Sequence, residues 1–433
     1  MTYIVGHPIK YPADFYGRQA EVARFFEIIG GTQAQSVTVL GVRRAGKTSF
    51  LQYISNAQTV RNHLPHPENI TMIYLDISTC KTPADFYYRL LLRLRYALGE
   101  IDTTVLWQPS PPTATNMYDV EAYLCQFPNQ RIILLLDEFD HIRTDTFTPE
   151  FLIELRAMTS VMEYDLAFVT ASYRDLFYLG SQVGLPPTSP FYNIFYPSPI
   201  HLAGLETAVL EELIRKPAVE EGLPFTNDEV GQILHLAGTF PFFVQATAVQ
   251  VLARKKEKQP IQFTQIAQQL TMELSPYFEQ WWRHFEIQDR DILKAVLHKT
   301  PLTELSHPKH LLDETLRILH LYGLIVAENT GWQMNGRLFQ NWVSRFAAIV
   351  DAKMAKEQKK ETAVNPTTLR QTIIDSFNLD ELHALCFDLK LDYESLPGDG
   401  KFAKAQSLVE YFRNRHRLDQ LITAVRNERG AII

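Results

Sequence analysis

The feature that most constrains the fold is a glycine-rich segment at residues 41–48, which reads Gly-Val-Arg-Arg-Ala-Gly-Lys-Thr. It follows an apolar run, Val37–Leu40, that predicts a buried strand, and it precedes a helical pattern that begins at Ser49. The segment matches the G-x-x-x-x-G-K-[ST] pattern of a loop that joins a strand to a helix. In such a loop, the glycines let backbone N–H groups turn towards phosphate oxygens, and the N-terminus of the helix adds positive potential. The alternative, a chance glycine-rich turn, leaves the ordered flanks unexplained.

The chemistry of this loop predicts individual contacts to a nucleotide. We expect the Lys47 ammonium to reach the β- and γ-phosphates and the Thr48 hydroxyl to bind Mg²⁺. The cofactors implied are therefore ATP/ADP and Mg²⁺. The predicted nucleotide contacts within the loop are Gly41, Arg43, Arg44, Ala45, Gly46, Lys47, Thr48 and Ser49.

A second indication of a nucleotide site, an acidic pair, follows the apolar run 132–136. Asp137 and Glu138 stand where a buried strand ends, which is the edge at which open α/β sheets bind ligands. We expect Asp137 to hold Mg²⁺ and Glu138 to act as general base for the attacking water. The alternative is that the two acids merely end a strand; the neighbouring phosphate loop makes that interpretation less favourable.

A third apolar run, 166–171, ends in small hydroxyl residues. Thr170 and Ser172 are candidates to contact the γ-phosphate or the attacking water, and a simple polar strand end is an equal alternative. Arg174 follows and is a candidate charge sensor or arginine finger. Exposed arginines without such a role are common, so that alternative stays open.

The pattern along the chain predicts several domains. Apolar runs at 37–40, 72–77, 131–136, 166–171 and 200–203 alternate with helical patterns, which favours an α/β domain with a parallel sheet and helices on both faces at residues 15–204. A helical lid is predicted at 205–275. Two helices and a hairpin turning at Asn329–Gly331 predict a winged helix at 276–350. A charged linker or helical extension follows at 351–366, and an all-α module at 367–433.

Four segments together resemble the AAA-related and STAND-type signalling ATPases. They are Phe15–Glu21, the loop at 41–48, Leu136–Asp140, and Gly238–Phe243, which is similar to the G-x-P motif of a helical lid. The resemblance covers roughly residues 15–350. It implies that Arg18 and Pro241 contact the base of the nucleotide. From the residues alone, Pro241 is equally well explained as a proline that starts a helix.

The C-terminal module resembles the bacterial effector-associated domains, small death-like helical modules that join ATPases to effectors. The segments that carry this resemblance are Leu385–Leu389, Leu396–Gly398 and Lys401–Val409. Residues 367–399 hold two basic and seven acidic residues, whereas residues 400–433 hold seven basic and three acidic ones. Such a dipolar domain is suited to stacking on copies of itself or on a similar domain, although internal pairing of the charges is the alternative.

Bulk composition excludes several classes of protein. A net charge of −7 argues against a chain that neutralises nucleic acid over its whole surface. Three scattered cysteines predict reduced core residues and no disulfide framework. No run is long enough to span a membrane, and no leader pattern is present at the N-terminus, so the cytoplasm is the expected location.

These observations predict a P-loop ATPase, slow in hydrolysis, that acts as a signalling switch. It would form a nucleotide-dependent homo-oligomer and recruit an effector protein through residues 367–433, with bacterial conflict or antiphage defence implied by the resemblance. The rival hypothesis is an AAA-type ATPase acting on DNA. Asp313 and Glu314, on the helix that would enter a groove, argue against it because phosphates repel carboxylates. A third hypothesis is a scaffold that holds ADP permanently.

Overall fold

A computed structural model describes residues 3–33, 35–107, 115–142, 146–328, 331–362, 366–415 and 417–429. The chain divides into two compact units, Met1–Ala347 and Ala348–Ile433. The strands are β1 (Val37–Leu40), β2 (Ile70–Asp76), β3 (Arg131–Asp137), β4 (Asp165–Ser172), β5 (Ile200–His201), β6 (Ile325–Glu328) and β7 (Gly331–Met334). The helices between β1 and β5, with the one that precedes β1, are α1 (Gln19–Ile29), α2 (Lys47–Ile54), α3 (Ala57–His63), α4 (Pro83–Ala97), α5 (Met117–Leu124), α6 (Pro149–Met158) and α7 (Leu176–Gln182).

The remaining helices follow β5. They are α8 (Thr207–Glu220), α9 (Asn227–Ala237), α10 (Pro241–Lys256), α11 (Phe263–Glu273), α12 (Ser275–His284), α13 (Ile287–His298), α14 (Lys309–Leu321), α15 (Arg337–Thr362), α16 (Pro366–Ser376), α17 (Leu379–Asp388), α18 (Gly400–Asn414) and α19 (Leu418–Arg429). The boundary between the two units falls within α15. The stretch predicted as a linker or helical extension is therefore helical as far as Thr362.

The core of the first unit is a parallel sheet in the order β2-β3-β4-β1-β5. The five strands agree with the predicted runs to within two residues. Strands β1, β3 and β4 are buried along almost their whole length, which is why their sequences are continuous apolar runs without alternation. Leu40 pairs with Ser172 and Leu136 with Thr170, so β1, β3 and β4 end at one edge of the sheet. That edge carries both the glycine-rich loop and Asp137.

The helical part of the first unit follows the predicted order. Helices α8 to α11 succeed the sheet, and α13, α14 and the antiparallel pair β6–β7 come next, in the order predicted for a winged helix. The predicted hairpin turn at Asn329–Gly331 lies partly outside the described residues. Asp313 and Glu314 are exposed on α14.

One asparagine joins three segments of this unit. Asn335 Nδ2 donates to Thr239 Oγ1 at 2.6 Å and to the Gly323 carbonyl at 2.7 Å, and Asn335 Oδ1 accepts from Thr239 N at 3.1 Å. The Thr239 carbonyl in turn accepts from Leu205 N at 2.8 Å. We call these residues the Asn335 junction. It ties the α9–α10 turn, the α14–β6 turn and the segment after β7 to the chain that leaves the sheet.

The C-terminal unit has its own apolar core, which includes Leu369, Leu382, Leu408 and Leu421. Lys404 is buried within it, where Nζ donates to the carbonyls of Tyr393 and Leu396 at 3.1 and 2.8 Å. Arg429 Nη2 lies 2.5 Å from Glu381 Oε2. The positive charge at the surface of the basic half is thus smaller than the sequence predicts, because one of its cations is buried and another is paired within the unit.

Two of the three cysteines are buried, as predicted, and Cys125 is exposed, against the expectation of a core position. Burial raises the pKa of the Cys80 thiol to about 12 and that of Cys386 to about 11. Among the described residues, none of the helices combines the length and apolar character that crossing a membrane requires.

The Asn335 junction predicts a costly glycine substitution. Gly336 has φ +86°, and a Cβ there would lie 2.8 Å from the Ala237 carbonyl carbon and oxygen and from Gly238 N. We expect Gly336→Ala to lower the free energy of unfolding by about 2–4 kcal/mol, from left-handed strain plus overpacking. Gly99→Ala is the control, because Gly99 has φ +81° with nothing within 4 Å of its Cβ position. Its cost is about 1 kcal/mol from backbone strain alone. Equal urea midpoints for the two variants would contradict close packing at the junction.

Candidate nucleotide-binding site

The glycine-rich loop begins where β1 ends and leads directly into α2. Gly46 is the N-cap of α2 and has φ +96°, a conformation that only glycine adopts without strain. Since Gly46 has no side chain, no side chain caps this helix end. Lys47 Nζ donates to the Gly41 carbonyl at 2.8 Å and lies 3.4 Å from the Val42 carbonyl oxygen. The Lys47 ammonium thus lies against backbone carbonyls of its own loop.

Lys47 is a buried cation, with 8% of its surface exposed. Burial lowers the pKa of Lys47, while Asp140, Glu138 and Asp137 oppose that change. A buried ammonium costs free energy unless an anion compensates it, and here the carboxylates do so only from a distance. The position is therefore one that a phosphate group would stabilise, with the N-terminus of α2 directed at the same point.

Asp137 lies at the end of β3 and is 1% exposed. Its Oδ2 accepts from Thr48 Oγ1 at 2.7 Å and from Tyr74 Oη at 2.9 Å, and its Oδ1 accepts from Glu138 N at 2.9 Å. The two residues predicted to hold Mg²⁺, Thr48 and Asp137, are thus brought together. A hydroxyl and a carboxylate are hard oxygen ligands of the kind that Mg²⁺ prefers.

Glu138 occupies a strained position beside the loop. Its φ is +51°, and its carboxylate Oε2 lies 4.0 Å from Arg43 Nη2 and 3.8 Å from His141 Nδ1. Six non-glycine residues among those described have positive φ, and three of them, Arg18, Arg44 and Glu138, lie at this site. Strain of this kind persists where the surroundings over-determine the backbone, as functional sites do.

Arg18 and Pro241 both line the cavity beside the loop. Arg18 is held firmly: it donates to the Ala45 carbonyl at 3.2 Å, to the Ala203 carbonyl, and to Glu21 Oε1 at 3.0 Å. Burial lowers its pKa, and Glu21 opposes that change. Pro241 is the first residue of α10, so it starts a helix and faces the cavity at once. Contact of either residue with a base stays a prediction.

The cavity itself has a volume of about 430 Å³, which is within the range of small-molecule sites, roughly 300–1,000 Å³. The loop residues Arg43 to Ser49 and Glu138 form its polar side. Leu205, Leu213 and Pro217 form part of its apolar side. A phosphate cradle next to an apolar wall matches the two chemically different ends of a nucleotide.

Part of the cavity wall comes from the N-terminal segment, residues 3–9, which no sequence motif had marked as functional. Ile9 N donates to Ser49 Oγ at 3.3 Å, and Ile4 N donates to Gln245 Oε1 at 2.9 Å. These contacts join residues 40 and 241 positions apart. Tyr74 was missed for the same reason, since its partner Asp137 is 63 residues away.

Helix α12 was also missed as part of the site. Gln280 Oε1 accepts from Arg43 Nη1 at 3.0 Å, and Trp281 Nε1 donates to the Arg43 carbonyl at 3.0 Å. The Arg44 guanidinium lies 4.8 Å from the ring centres of both Phe242 and Tyr277. The spacing of 277, 280 and 281 indicates a single helix face, but nothing local to it identifies the loop as the partner.

Ser172, Thr170 and Arg174 are placed differently from the loop residues. None of the three is among the described residues that line the cavity. Ser172 Oγ donates to the Arg174 carbonyl at 2.7 Å, and Thr170 Oγ1 faces Thr38 Oγ1 at 3.4 Å.

The Arg174 side chain turns towards α12 and α13. Its guanidinium donates to the His284 carbonyl and lies 3.9 Å from Glu286 Oε1. Burial lowers the pKa of Arg174, but Tyr173, Asp289, Tyr178 and Glu286 together outweigh it and the net direction is upward. A sensor role for Arg174 stays a prediction.

Comparisons with known proteins agree with this architecture. Residues 369–430 match the family model of effector-associated domain 7. The Walker-type ATPase of Pyrococcus abyssi superposes with a TM-score of 0.54 at 14% identity, covering 78% of this chain and 99% of that one. The ORC2 protein of Aeropyrum pernix gives 0.44 at 14% identity, covering 81% and 97%. Thermotoga maritima RuvB gives 0.37 at 13% identity, covering 77% and 97%. No curated protein matches the chain.

The Pyrococcus abyssi structure is the one of the three whose similarity is high enough to support the fold. The chain therefore has the fold of a P-loop ATPase. Its C-terminal region, residues 369–430, is an effector-associated domain 7.

The burial of Lys47 predicts that its replacement abolishes nucleotide binding without lowering the stability of the nucleotide-free protein. Lys47→Met removes the ammonium while keeping a flexible apolar chain, so we expect the nucleotide-free variant to unfold at a urea concentration equal to or above that of the parent. ATP at 100 times its Kd should stabilise the parent by about 2.7 kcal/mol and the variant not at all. A variant stabilised by ATP as strongly as the parent would contradict the placement of phosphate at Lys47.

Proposed function

We propose that this protein is an ATP-dependent signalling switch. It binds ATP with Mg²⁺ in the cavity at the glycine-rich loop, hydrolyses ATP slowly, and recruits an effector protein through residues 367–433. The observation that carries the proposal is the presence of a phosphate cradle with an adjacent carboxylate, Glu138, in one polypeptide with an effector-associated domain. In such a chain, the presence of ATP or ADP at the loop would control whether the partner is recruited. The biological setting that we propose is bacterial conflict or antiphage defence.

The proposed reaction is hydrolysis of the bond between the β- and γ-phosphates. Lys47 and the loop backbone hold the phosphates and stabilise the charge on the transferring group. Mg²⁺, held by Thr48 and Asp137, would neutralise phosphate charge when bound. Glu138 accepts a proton from the attacking water, whose oxygen bonds to the γ-phosphorus while the bond to the ADP oxygen breaks. The products are ADP and inorganic phosphate.

We propose that α14 does not read DNA. Asp313 and Glu314 are exposed on this helix, and carboxylates next to the phosphate backbone are repelled. Hydrolysis that DNA stimulates, with a steep salt dependence, would support the rival hypothesis. Tightly bound ADP in the purified protein, without turnover, would support a permanent scaffold.

A conservative change at the proposed general base separates binding from hydrolysis. We expect Glu138→Gln to bind ATP with near-parental affinity and to hydrolyse it at least about 100-fold more slowly, because the amide cannot accept the proton. Glu163→Gln, at an exposed position just before the first residue of β4 and so at the opposite edge of the sheet from Asp137, is the control and should keep the parental rate. Steady-state phosphate release measures both. An unchanged rate in Glu138→Gln would refute the role of Glu138.

Charge reversal on the C-terminal unit tests the recruitment surface. Arg413, Arg415 and Arg417 are exposed near the end of α18. In the full chain, we expect their triple change to Glu to weaken ATP-dependent self-association and effector capture at least tenfold, since opposite poles no longer meet. Sedimentation and pull-down in the Glu138→Gln background measure the two. The control carries Arg61, Lys81 and Arg156→Glu, an equal charge change on exposed positions of the first unit.

A further inference from the structure

Arg43 stands between α12 and the proposed general base, Glu138. Its Nη1 donates to Gln280 Oε1 of α12 at 3.0 Å, and its Nη2 lies 4.0 Å from Glu138 Oε2. The same guanidinium thus faces a neutral amide on one element and a carboxylate on another. Both the Arg43 and Glu138 side chains are partly exposed, at 44% and 33%, so they are free to change rotamer without disturbing the core.

The backbone of Arg43 is held independently of its side chain. Trp281 Nε1 donates to the Arg43 carbonyl at 3.0 Å, and Trp281 is itself buried. The neighbouring Arg44 is clamped between Phe242 and Tyr277. The loop at Arg43 is therefore anchored to α12 through its main chain, and only its guanidinium is left to exchange partners.

The competing ligand for that guanidinium is a terminal phosphate. Arg43, Lys47 and Glu138 all line the same cavity, with Lys47 at its phosphate end. A planar guanidinium binds phosphate through paired N–H donors and prefers it to a neutral amide or a carboxylate at 4.0 Å. ATP presents a γ-phosphate there, whereas ADP does not.

We propose, on the basis of the function proposed above, that Arg43 is a positioning residue that senses the γ-phosphate. Without it, Arg43 bridges Gln280 and Glu138 and restrains the general base. When ATP binds, the guanidinium turns to the γ-phosphate. That one movement frees Glu138 to orient water and removes the side-chain contact between Arg43 and Gln280 of α12, while the main-chain contact to Trp281 stays. The general base and the strength of the contact between the loop and α12 are thereby controlled by the same side chain.

Arg43→Gln tests this, because glutamine keeps a hydrogen-bonding group but has neither the charge nor the paired donors. Affinities for ATP and ADP are measured separately by calorimetry in the Glu138→Gln background, which suppresses turnover. We expect ATP affinity to fall at least tenfold and ADP affinity to change less than threefold. Equal losses for both nucleotides would overturn the proposal, since a structural role of Arg43 in the loop affects both alike.

Gln280→Ala provides a second test with the opposite sign and leaves the loop intact. Removing a competing partner should raise ATP affinity about threefold and leave ADP affinity unchanged. Gln265→Ala, on the exposed side of α11, is the matched control and should change neither. Hydrogen exchange of residues 275–284 should increase with ATP but not with ADP in the Glu138→Gln protein, and with neither once Arg43→Gln is added.

The outcomes separate this inference from the function on which it rests. Failure of the parent to bind either nucleotide would refute the nucleotide switch itself. Binding of both nucleotides by the parent, with unchanged discrimination between ATP and ADP in Arg43→Gln and in Gln280→Ala, would refute only the role of Arg43. If Arg43→Gln does not fold, Gln280→Ala alone decides.

Discussion

The candidate site of the first unit is arranged around one unfavourable group, the buried ammonium of Lys47. Its close partners are carbonyl oxygens of its own loop, and the carboxylates that offset its charge approach from β3 and the turn that follows. Keeping those carboxylates near requires β3, β4 and β1 to end together, which the strand order provides. The site thus holds a buried positive charge that a bound phosphate would stabilise, which is the physical basis of the nucleotide binding proposed above.

The segments that follow β5 contact the loop through arginines as well as through apolar side chains. Arg18 ties the loop to the chain that leaves β5, Arg44 inserts between aromatic rings of α10 and α12, and Arg43 reaches α12. Each guanidinium is permanently charged, so an anion entering the loop changes the energy of every one of these contacts. A phosphate bound at the loop would therefore act electrostatically on all three of these contacts.

Local sequence patterns were sufficient to predict the features that depend on residues close together in the chain. Continuous apolar runs identified all five strands of the large sheet, and the G-x-x-x-x-G-K-[ST] turn and the acidic pair identified Lys47, Thr48, Asp137 and Glu138 as neighbours of one sheet edge. The C-terminal module was identified from short motifs that the family match supports.

Long-range geometry lay beyond those patterns. Nothing in residues 3–9 encodes contact with Ser49 and Gln245, and the direction of the Arg174 side chain depends on where α12 and α13 pack. Cys125 was expected in the core because cysteine is usually buried, but it ends α5 at the surface. Such contacts are decided by tertiary packing, which single-sequence periodicity does not record.

The Asn335 junction has a consequence for how chains of this architecture evolve. Its three segments approach so closely that a side chain on one would displace the backbone of another, so they tolerate only concerted change. Recombination that exchanges the hairpin region alone would separate segments whose backbones fit closely against one another. By contrast, the C-terminal unit carries a self-contained core. Gene fusion can therefore exchange this unit whole without breaking the contacts of the junction.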